Sequence, residues 1–178
     1  MLEVVAIAVA IILIVLVAVL LLAARRPDSF HLARSTRISA PAERIYPLIS
    51  NLRQMNRWNP FLQSDPQMKI VYSGPESGRG AAHDWAGSKK AGAGRIEIRD
   101  ARLPSYVAMS LDIVRPFACH NLVEFTLKPQ QDATEVTWAM SGRMAFINKL
   151  CGLFMDMDKM IGSQFDRGLA DLKALAEA

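Results

Sequence analysis

The sequence has 178 residues, a net charge of +4 and 51% hydrophobic residues. Its length suits one domain with one core, and its scattered Lys and Arg residues form no basic tract that would argue for nucleic acid binding. The two cysteines, Cys119 and Cys151, show no CxxC or zinc-ligand spacing. We predict two buried thiols, and a disulfide between them remains the alternative.

The chain opens with an apolar run, Val4–Ala24, that contains only Val, Ala, Ile and Leu. A helix of this length spans about 31 Å, which matches the hydrocarbon core of a bilayer. We therefore predict a membrane anchor over residues 1–26, with residues 4–24 inside the membrane. The alternative is a cleaved signal peptide. The Met-Leu-Glu start lacks Lys or Arg, however, and Leu22 stands where cleavage would require a small residue.

The charges that flank the run predict its orientation. Arg25 and Arg26 follow it directly, whereas Glu3 precedes it. Positive charge marks the cytoplasmic side of a membrane span. We therefore expect a single-pass protein whose folded domain, residues 27–178, faces the cytoplasm.

A first strand and two short helices are predicted next. The strand covers Ser35–Ser39, with an earlier start near Phe30 as the alternative. After it, Pro41 suits the first position of a helix. Pro47 should not lie deep inside that helix, so the helix is short or kinked there. Asn51 can cap a second short helix that extends through Met55.

The middle of the chain consists of strands and turns. Hydrophobic and polar residues alternate along each segment, which is typical of an antiparallel sheet with one buried face. The six predicted strands are Met68–Tyr72, Ala81–Trp85, Arg95–Ala101, Ser105–Val114, Cys119–Lys128 and Thr134–Gly142.

The last stretch, from Arg143 to Ala178, has apolar residues every three or four positions and predicts one long amphipathic helix. Gly152, Gly162 and Gly168 interrupt it, each at a cost of about 1 kcal/mol relative to alanine. Close packing or a cavity along the helix would explain them, although the apolar stripe can equally be an ordinary core face.

This order of elements predicts an α+β fold in which an antiparallel sheet wraps around the C-terminal helix. Gaps between the two would form an apolar ligand-binding pocket; the alternative is a filled core rich in Met and Trp. The side chains predicted to face each other are Trp85, Met109, Leu111, Phe125, Trp138 and Met140 from the sheet, and Phe154, Met157, Ile161 and Phe165 from the helix.

Several segments also resemble a known family. They are Ile38–Tyr46, Trp58–Phe61, Trp85–Gly87, Gly92–Gly94, Val123–Leu127 and Thr134–Trp138. Together they resemble the START-like, helix-grip superfamily (SRPBCC, Bet v 1-like), especially bacterial members labelled polyketide cyclase/dehydrase, over about residues 30–178. The resemblance implies a helix-grip fold. Members carry lipids, sterols, polyketides or plant hormones, and some are enzymes. A membrane anchor is not general among them.

Few residues are candidates for catalysis. His83 shares strand parity with Trp85, which the family pattern turns inward, so His83 is the one weak acid–base candidate. His120 is expected to face solvent, and Cys119 to line the core without a base partner. No paired carboxylates, Ser/His/Asp set or metal-ligand spacing is present in the sequence, so we expect no metal and no cofactor.

Three functions follow as hypotheses. The favoured one is a domain anchored in the bacterial inner membrane that binds a hydrophobic small molecule or lipid between the sheet and the C-terminal helix. The alternative is a cyclase/dehydratase-type enzyme that acts on an aromatic or polyketide-like substrate through His83. The third is an interaction protein whose pocket is vestigial.

Overall fold

The structure is a computed structural model that describes residues 1–63, 65–89, 91–154 and 156–178, without the side chains of Leu2 and Met157. Its helices are α1 (Leu2–Ala24), α2 (Ala42–Ser50), α3 (Leu52–Met55), α4 (Pro60–Gln63), α5 (Phe146–Cys151) and α6 (Met157–Glu177). Its strands are β1 (Ser29–Ile38), β2 (Lys69–Ser73), β3 (Ala82–Ala86), β4 (Ala93–Arg102), β5 (Tyr106–Arg115), β6 (Cys119–Gln130) and β7 (Ala133–Arg143).

The seven strands form one antiparallel sheet in the order β1-β7-β6-β5-β4-β3-β2. The alternating pattern therefore predicted the strands and their buried face correctly, because a pleated strand turns successive side chains to opposite faces. The register pairs Ser29 with Arg143, and Ile113 with Cys119. The start of β1, the end of β7 and the turn between β5 and β6 thus lie at one end of the sheet, which we call the α1 end.

The opposite end of the sheet, which we call the far end, carries the turns after β4 and β6. There α2 and the last turns of α6 cover the concave face of the sheet. The buried residues that fill this region include Ile38, Ile45, Ile49, Leu127, Val136, Leu172 and Ala176. The predicted cap of the second short helix is confirmed, since Asn51 Oδ1 accepts hydrogen bonds from the backbone of Arg53 and Gln54.

The C-terminal stretch differs from the prediction of one continuous helix. Strand β7 extends to Arg143, α5 ends at Cys151, and α6 starts only at Met157. The side chain of Asp156 accepts a hydrogen bond of 2.9 Å from the backbone of Lys159 and so caps a second helix start. The apolar spacing alone does not reveal this cap, because it continues across the break.

Helix α1 is joined to the domain at its C-terminal end. Glu3–Ala24 is long and apolar enough to cross a membrane, a property that signal sequences share. Ala23 is fully buried where α1 meets α5. The buried Lys149 of α5 donates a hydrogen bond to the carboxylate of Asp28, which follows α1. This contact lowers the pKa of Asp28 below its ordinary value.

Both cysteines are free thiols. Cys119 is partly buried at the start of β6, whereas Cys151 is exposed at the end of α5. The prediction of two buried thiols is therefore wrong for Cys151. The helix break explains the error, because it places Cys151 on a short helix outside the core.

Candidate functional site

A cavity of about 370 Å³ lies between the sheet, α4 and α6 toward the α1 end. Strands β3 to β7 provide one wall, and α4 and α6 provide the other. Six of the ten residues predicted to bind a ligand line this cavity: Trp85, Leu111, Trp138, Met140, Ile161 and Phe165.

The other four predicted residues lie elsewhere. Met109 and Phe125 have the predicted inward direction but are fully buried in the core, beside Ile98 and Trp58. Phe154 is 76% exposed in the break between α5 and α6, so it does not face the sheet. The side chain of Met157 lies outside the described part of the structure.

An aromatic cluster separates the cavity from the core of the far end. The ring of Trp138 stacks on Phe165, with centroids 4.1 Å apart and planes at 7°. Trp58 packs edge-on against the same ring at 5.6 Å. A Cβ added at Gly168 would lie 2.8 Å from the Trp138 ring, so glycine allows the backbone of α6 to approach it closely.

Three residues that line the cavity each carry a buried polar atom with no hydrogen-bond partner among the described residues. These atoms are His83 Nδ1, Asn121 Oδ1 and Trp138 Nε1. An unsatisfied buried polar group costs about 1–3 kcal/mol, so native proteins rarely keep several in one place without a purpose. Each of these atoms is covered by neighbouring atoms, so a bound molecule can reach it only where an adjacent side chain moves.

His83 faces the cavity, as its strand parity predicted, and is only 1% exposed. Its ring lies between those of Tyr72 and Trp85, at 5.7 and 6.2 Å. Burial lowers the pKa of His83 to about 4; the nearby Asp84 carboxylate opposes this shift, and Arg95 adds to it. The imidazole is therefore neutral at pH 7, with one nitrogen as donor and the other as acceptor.

The electrostatics of the cavity offer little support for acid–base chemistry. The best general acid or base has a pKa near the working pH, whereas that of His83 is far lower. The other ionisable residues among the described lining are Cys119 and Arg143. His120 and Asp112 form a hydrogen bond of 2.5 Å on the outer face, where His120 was expected from the sequence.

Asn121 and Arg143 also line the cavity, although neither was predicted from the sequence to do so. Asn121 shares strand parity with Cys119 and Val123, so a polar side chain at an inward position was the available signal. Arg143 was assigned to the C-terminal helix, whereas it ends β7 and lines the cavity at the α1 end. Within the described residues, no group of three or more His, Cys, Asp or Glu side chains is arranged to hold a metal ion.

An open antiparallel sheet that curves around a C-terminal helix, with an apolar cavity between them, defines the α+β helix-grip fold. Residues 29–177 match the model of the family described as polyketide cyclase/dehydrase and lipid transport. The chain belongs to this family, and its domain is of the ligand-binding SRPBCC type. No curated protein has significant similarity to the sequence.

Solved structures share this fold at low sequence identity. A protein of Chromobacterium violaceum is 14% identical with a TM-score of 0.59, over 86% of this chain and 99% of that one. The ginseng (Panax ginseng) major latex-like protein 151 is 12% identical with a TM-score of 0.59, over 85% of this chain and all of that one. A putative protein of the dynemicin biosynthetic locus is 14% identical with a TM-score of 0.57, over 86% of this chain and 48% of that one.

Proposed function

We propose that this protein is a membrane-anchored domain that binds a hydrophobic small molecule or lipid between the sheet and α6. The observation that carries the proposal is the cavity of about 370 Å³, whose mainly apolar lining includes three residues that each carry a buried polar atom without a described partner. A filled interior would instead have favoured a vestigial pocket.

The wall chemistry indicates what such a ligand must offer. Apolar contact supplies most of the affinity, at about 25 cal/mol per Å² of apolar surface buried. Trp138 Nε1 can only donate a hydrogen bond, and Asn121 Oδ1 can only accept one. The fitting ligand is therefore mainly hydrophobic and carries a carbonyl or ether oxygen together with a hydroxyl group.

The proposed anchor is α1, so residues 1–26 hold residues 27–178 at a bilayer. The support is the length and composition of Glu3–Ala24, followed directly by Arg25 and Arg26. From the positive-inside rule we expect the domain on the cytoplasmic side of a bacterial inner membrane. Intact-mass measurement of the membrane-extracted chain tests this: a retained N-terminus indicates an anchor, and a chain that begins after Ala24 indicates a signal peptide.

Native mass spectrometry of the full chain in detergent, with uptake of a neutral fluorescent probe such as diphenylhexatriene, tests ligand binding. Leu111→Trp places a larger side chain in the cavity, and Leu122→Trp makes the same change on the outer face. We expect Leu111→Trp to weaken probe binding at least about tenfold and Leu122→Trp to leave it unchanged. Equal binding by both variants contradicts a ligand in the cavity, and no uptake by the wild type refutes the proposal.

The second candidate is an enzyme of the cyclase/dehydratase type. It is favoured by one observation, the position of His83 in the cavity wall with Nδ1 unpartnered. Conversion of an aromatic polyketide-like substrate, followed by mass, distinguishes the two. A catalytic His83 predicts that His83→Gln retains the ligand but loses about 10²–10⁴-fold in turnover. A binding role predicts weaker ligand retention and no conversion by either form.

A further inference from the structure

We infer that the α1 end of the domain is a membrane-contacting surface, so that the cavity opens toward the bilayer and exchanges its ligand directly with lipid. This inference rests on the proposed anchor. It adds a defined surface and an orientation of the cavity, neither of which anchoring by itself requires.

The first argument is topological. The part of the cavity lining that lies at the α1 end comes from the loop between β3 and β4, the ends of β5 and β7, the start of β6, and α5, and we assign these residues to the mouth. They are Ala91, Ile113, Cys119, Arg143 and Asn148. The sheet register brings the starts of β4 and β6 and the ends of β5 and β7 to the α1 end. The mouth therefore opens on the side of the domain from which α1 departs.

The second argument concerns depth. Ala23 belongs to the last turn of the apolar span, yet it is fully buried where α1 meets α5. An added Cβ at Gly152, just after α5, would lie 3.0 Å from the guanidinium of Arg26. Since a helix rises 1.5 Å per residue, α5 lies at the level where the span leaves the hydrocarbon region.

The third argument is the exposed apolar rim, which we define as Val114, Phe117, Phe146, Ile147 and Phe154. These five side chains are about half to three-quarters exposed, and they come from the end of β5 and the turn after it, from α5 and from the break after α5. Among the described residues, the turn between β4 and β5 at the far end carries one comparable side chain, Leu103. Apolar side chains concentrated beside a span are suited to the interfacial layer of a bilayer.

The charges at the α1 end also favour a bilayer as the partner of this surface. Arg25 and Arg26 follow the span, and Arg115 and Arg143 end β5 and β7 beside the mouth. Arginines around an apolar rim favour a surface that contains anionic lipid. Nearby carboxylates are engaged within the domain: Lys149 pairs with Asp28, while Asp65 and Asp156 accept backbone hydrogen bonds.

These observations have one consequence for the ligand. A hydrophobic molecule that leaves the mouth between the rim side chains enters the interfacial layer without crossing water. Exchange with the membrane is therefore fast relative to exchange through solvent, because the apolar surface of the ligand remains covered throughout.

Nitroxide depth measurements test the surface independently of any ligand. The full chain carries Cys119→Ser and Cys151→Ser, with one nitroxide on either Phe117→Cys or Leu103→Cys, in vesicles of phosphatidylethanolamine and phosphatidylglycerol. These positions are matched, since both lie in turns between strands and are 67% and 71% exposed. We expect oxygen to collide with the label at 117 more often than a water-soluble nickel chelate does, and the reverse at 103. If the nickel chelate collides with the label more often than oxygen does at both positions, the inference is wrong.

Probe exchange tests the consequence. The double variant Phe117→Asp with Ile147→Asp places charge on the rim, and Leu103→Asp is the control. We expect the double variant to transfer diphenylhexatriene to vesicles several-fold more slowly, with unchanged probe affinity in detergent and unchanged thermal unfolding; Leu103→Asp should match the wild type in every readout. Wild-type transfer rates in the double variant contradict membrane exchange. Absence of probe binding by the wild type refutes the proposed function instead, and the depth measurement still decides the surface.

Discussion

The far end and the α1 end of the domain use the same sheet and the same helix but differ in how the space between them is filled. At the far end, α2 and the last turns of α6 cover the sheet with fully buried residues such as Ile45 and Leu172. At the α1 end, the chain leaves the sheet as α5, and α4 and the first turns of α6 face the strands across the cavity. The cavity occupies the space that a second covering helix would otherwise fill.

Polar groups differ between the two regions in the same way. In the packed region, Trp58 Nε1 donates to the carbonyl of Leu48, and Thr134 Oγ1 donates to that of Ala40, both at 2.8 Å. In the cavity, the same indole atom of Trp138 has no described partner. Two tryptophans in edge-on contact thus differ in their hydrogen bonding: the indole of Trp58 has a partner within the domain, and that of Trp138 has none among the described residues.

Matched leucine truncations should show the largest effect of this difference. Leu127 is buried in the packed region, and Leu111 lines the cavity. We expect Leu127→Ala to lower the free energy of unfolding by about 2–5 kcal/mol, because it leaves a void among close-packed atoms. Leu111→Ala enlarges an existing space and should cost clearly less. Thermal or denaturant unfolding of the full chain in detergent measures both.

Probe binding provides the control for this pair. Leu127→Ala should leave probe affinity unchanged wherever the protein remains folded, whereas Leu111→Ala should alter it. Equal losses of stability from the two truncations would mean that the α1 end is packed as densely as the far end in solution.

The pH dependence of stability should report on His83. Its pKa is about 4 in the folded chain and near the ordinary 6.5 in the unfolded chain. Between pH 6.5 and 4 the unfolded chain therefore binds a proton that the folded chain does not, so stability falls as the pH falls. Across this window the loss approaches about 3 kcal/mol. This loss is measured as the difference between the free energies of unfolding of the wild type and His83→Gln, determined at several pH values.

The other acid-titrating groups are present in both proteins, so their contribution cancels in that comparison. His31→Gln is the matched control, because it makes the same change at an exposed position of β1. It should leave the pH profile as in the wild type. A His83→Gln profile parallel to the wild type would show that water reaches the imidazole and that the cavity is wetter than its apolar wall indicates.

Direction across the sheet could be predicted from the sequence because side chains alternate strictly along a strand. This reasoning turned His83 inward and His120 outward, as the structure shows. Position along a strand carries no such signal. Leu111 and Met109 share one parity, yet Leu111 lines the cavity and Met109 lies in the filled core.

The break before α6 was missed for a related reason. Helical spacing of apolar residues continues through Phe154, but a local hydrogen bond from the backbone of Lys159 to Asp156 starts a new helix beyond it. A periodic pattern describes faces and is insensitive to interruptions that preserve its phase. The same error assigned Arg143 to a helix and hid its place at the mouth.

The smallest predicted effects come from two glycines of α6, both of which interrupted the sequence pattern. A Cβ at Gly168 would lie 2.8 Å from the ring of Trp138 and 2.9 Å from Cδ of Pro60, and neither ring can move without disturbing its neighbours. The overpacking should cost about 1–3 kcal/mol, and the gain in helix propensity returns at most about 1 kcal/mol, so we expect Gly168→Ala to destabilise the domain on balance.

Gly162→Ala is the matched comparison, since it makes the same change within the same helix. Its Cβ would meet the guanidinium of Arg34 at 2.2 Å, but this is the flexible end of a side chain that pairs with the exposed Asp158 and Asp166. Exposed ion pairs contribute about 0–1 kcal/mol, and alanine regains about as much in helix propensity. Gly162→Ala should therefore be near neutral in thermal unfolding. If Gly162→Ala lowered the stability as much as Gly168→Ala, both losses would come from a general effect of alanine in α6. The contact of Gly168 with the aromatic cluster would then not explain where the packed region ends and the cavity begins.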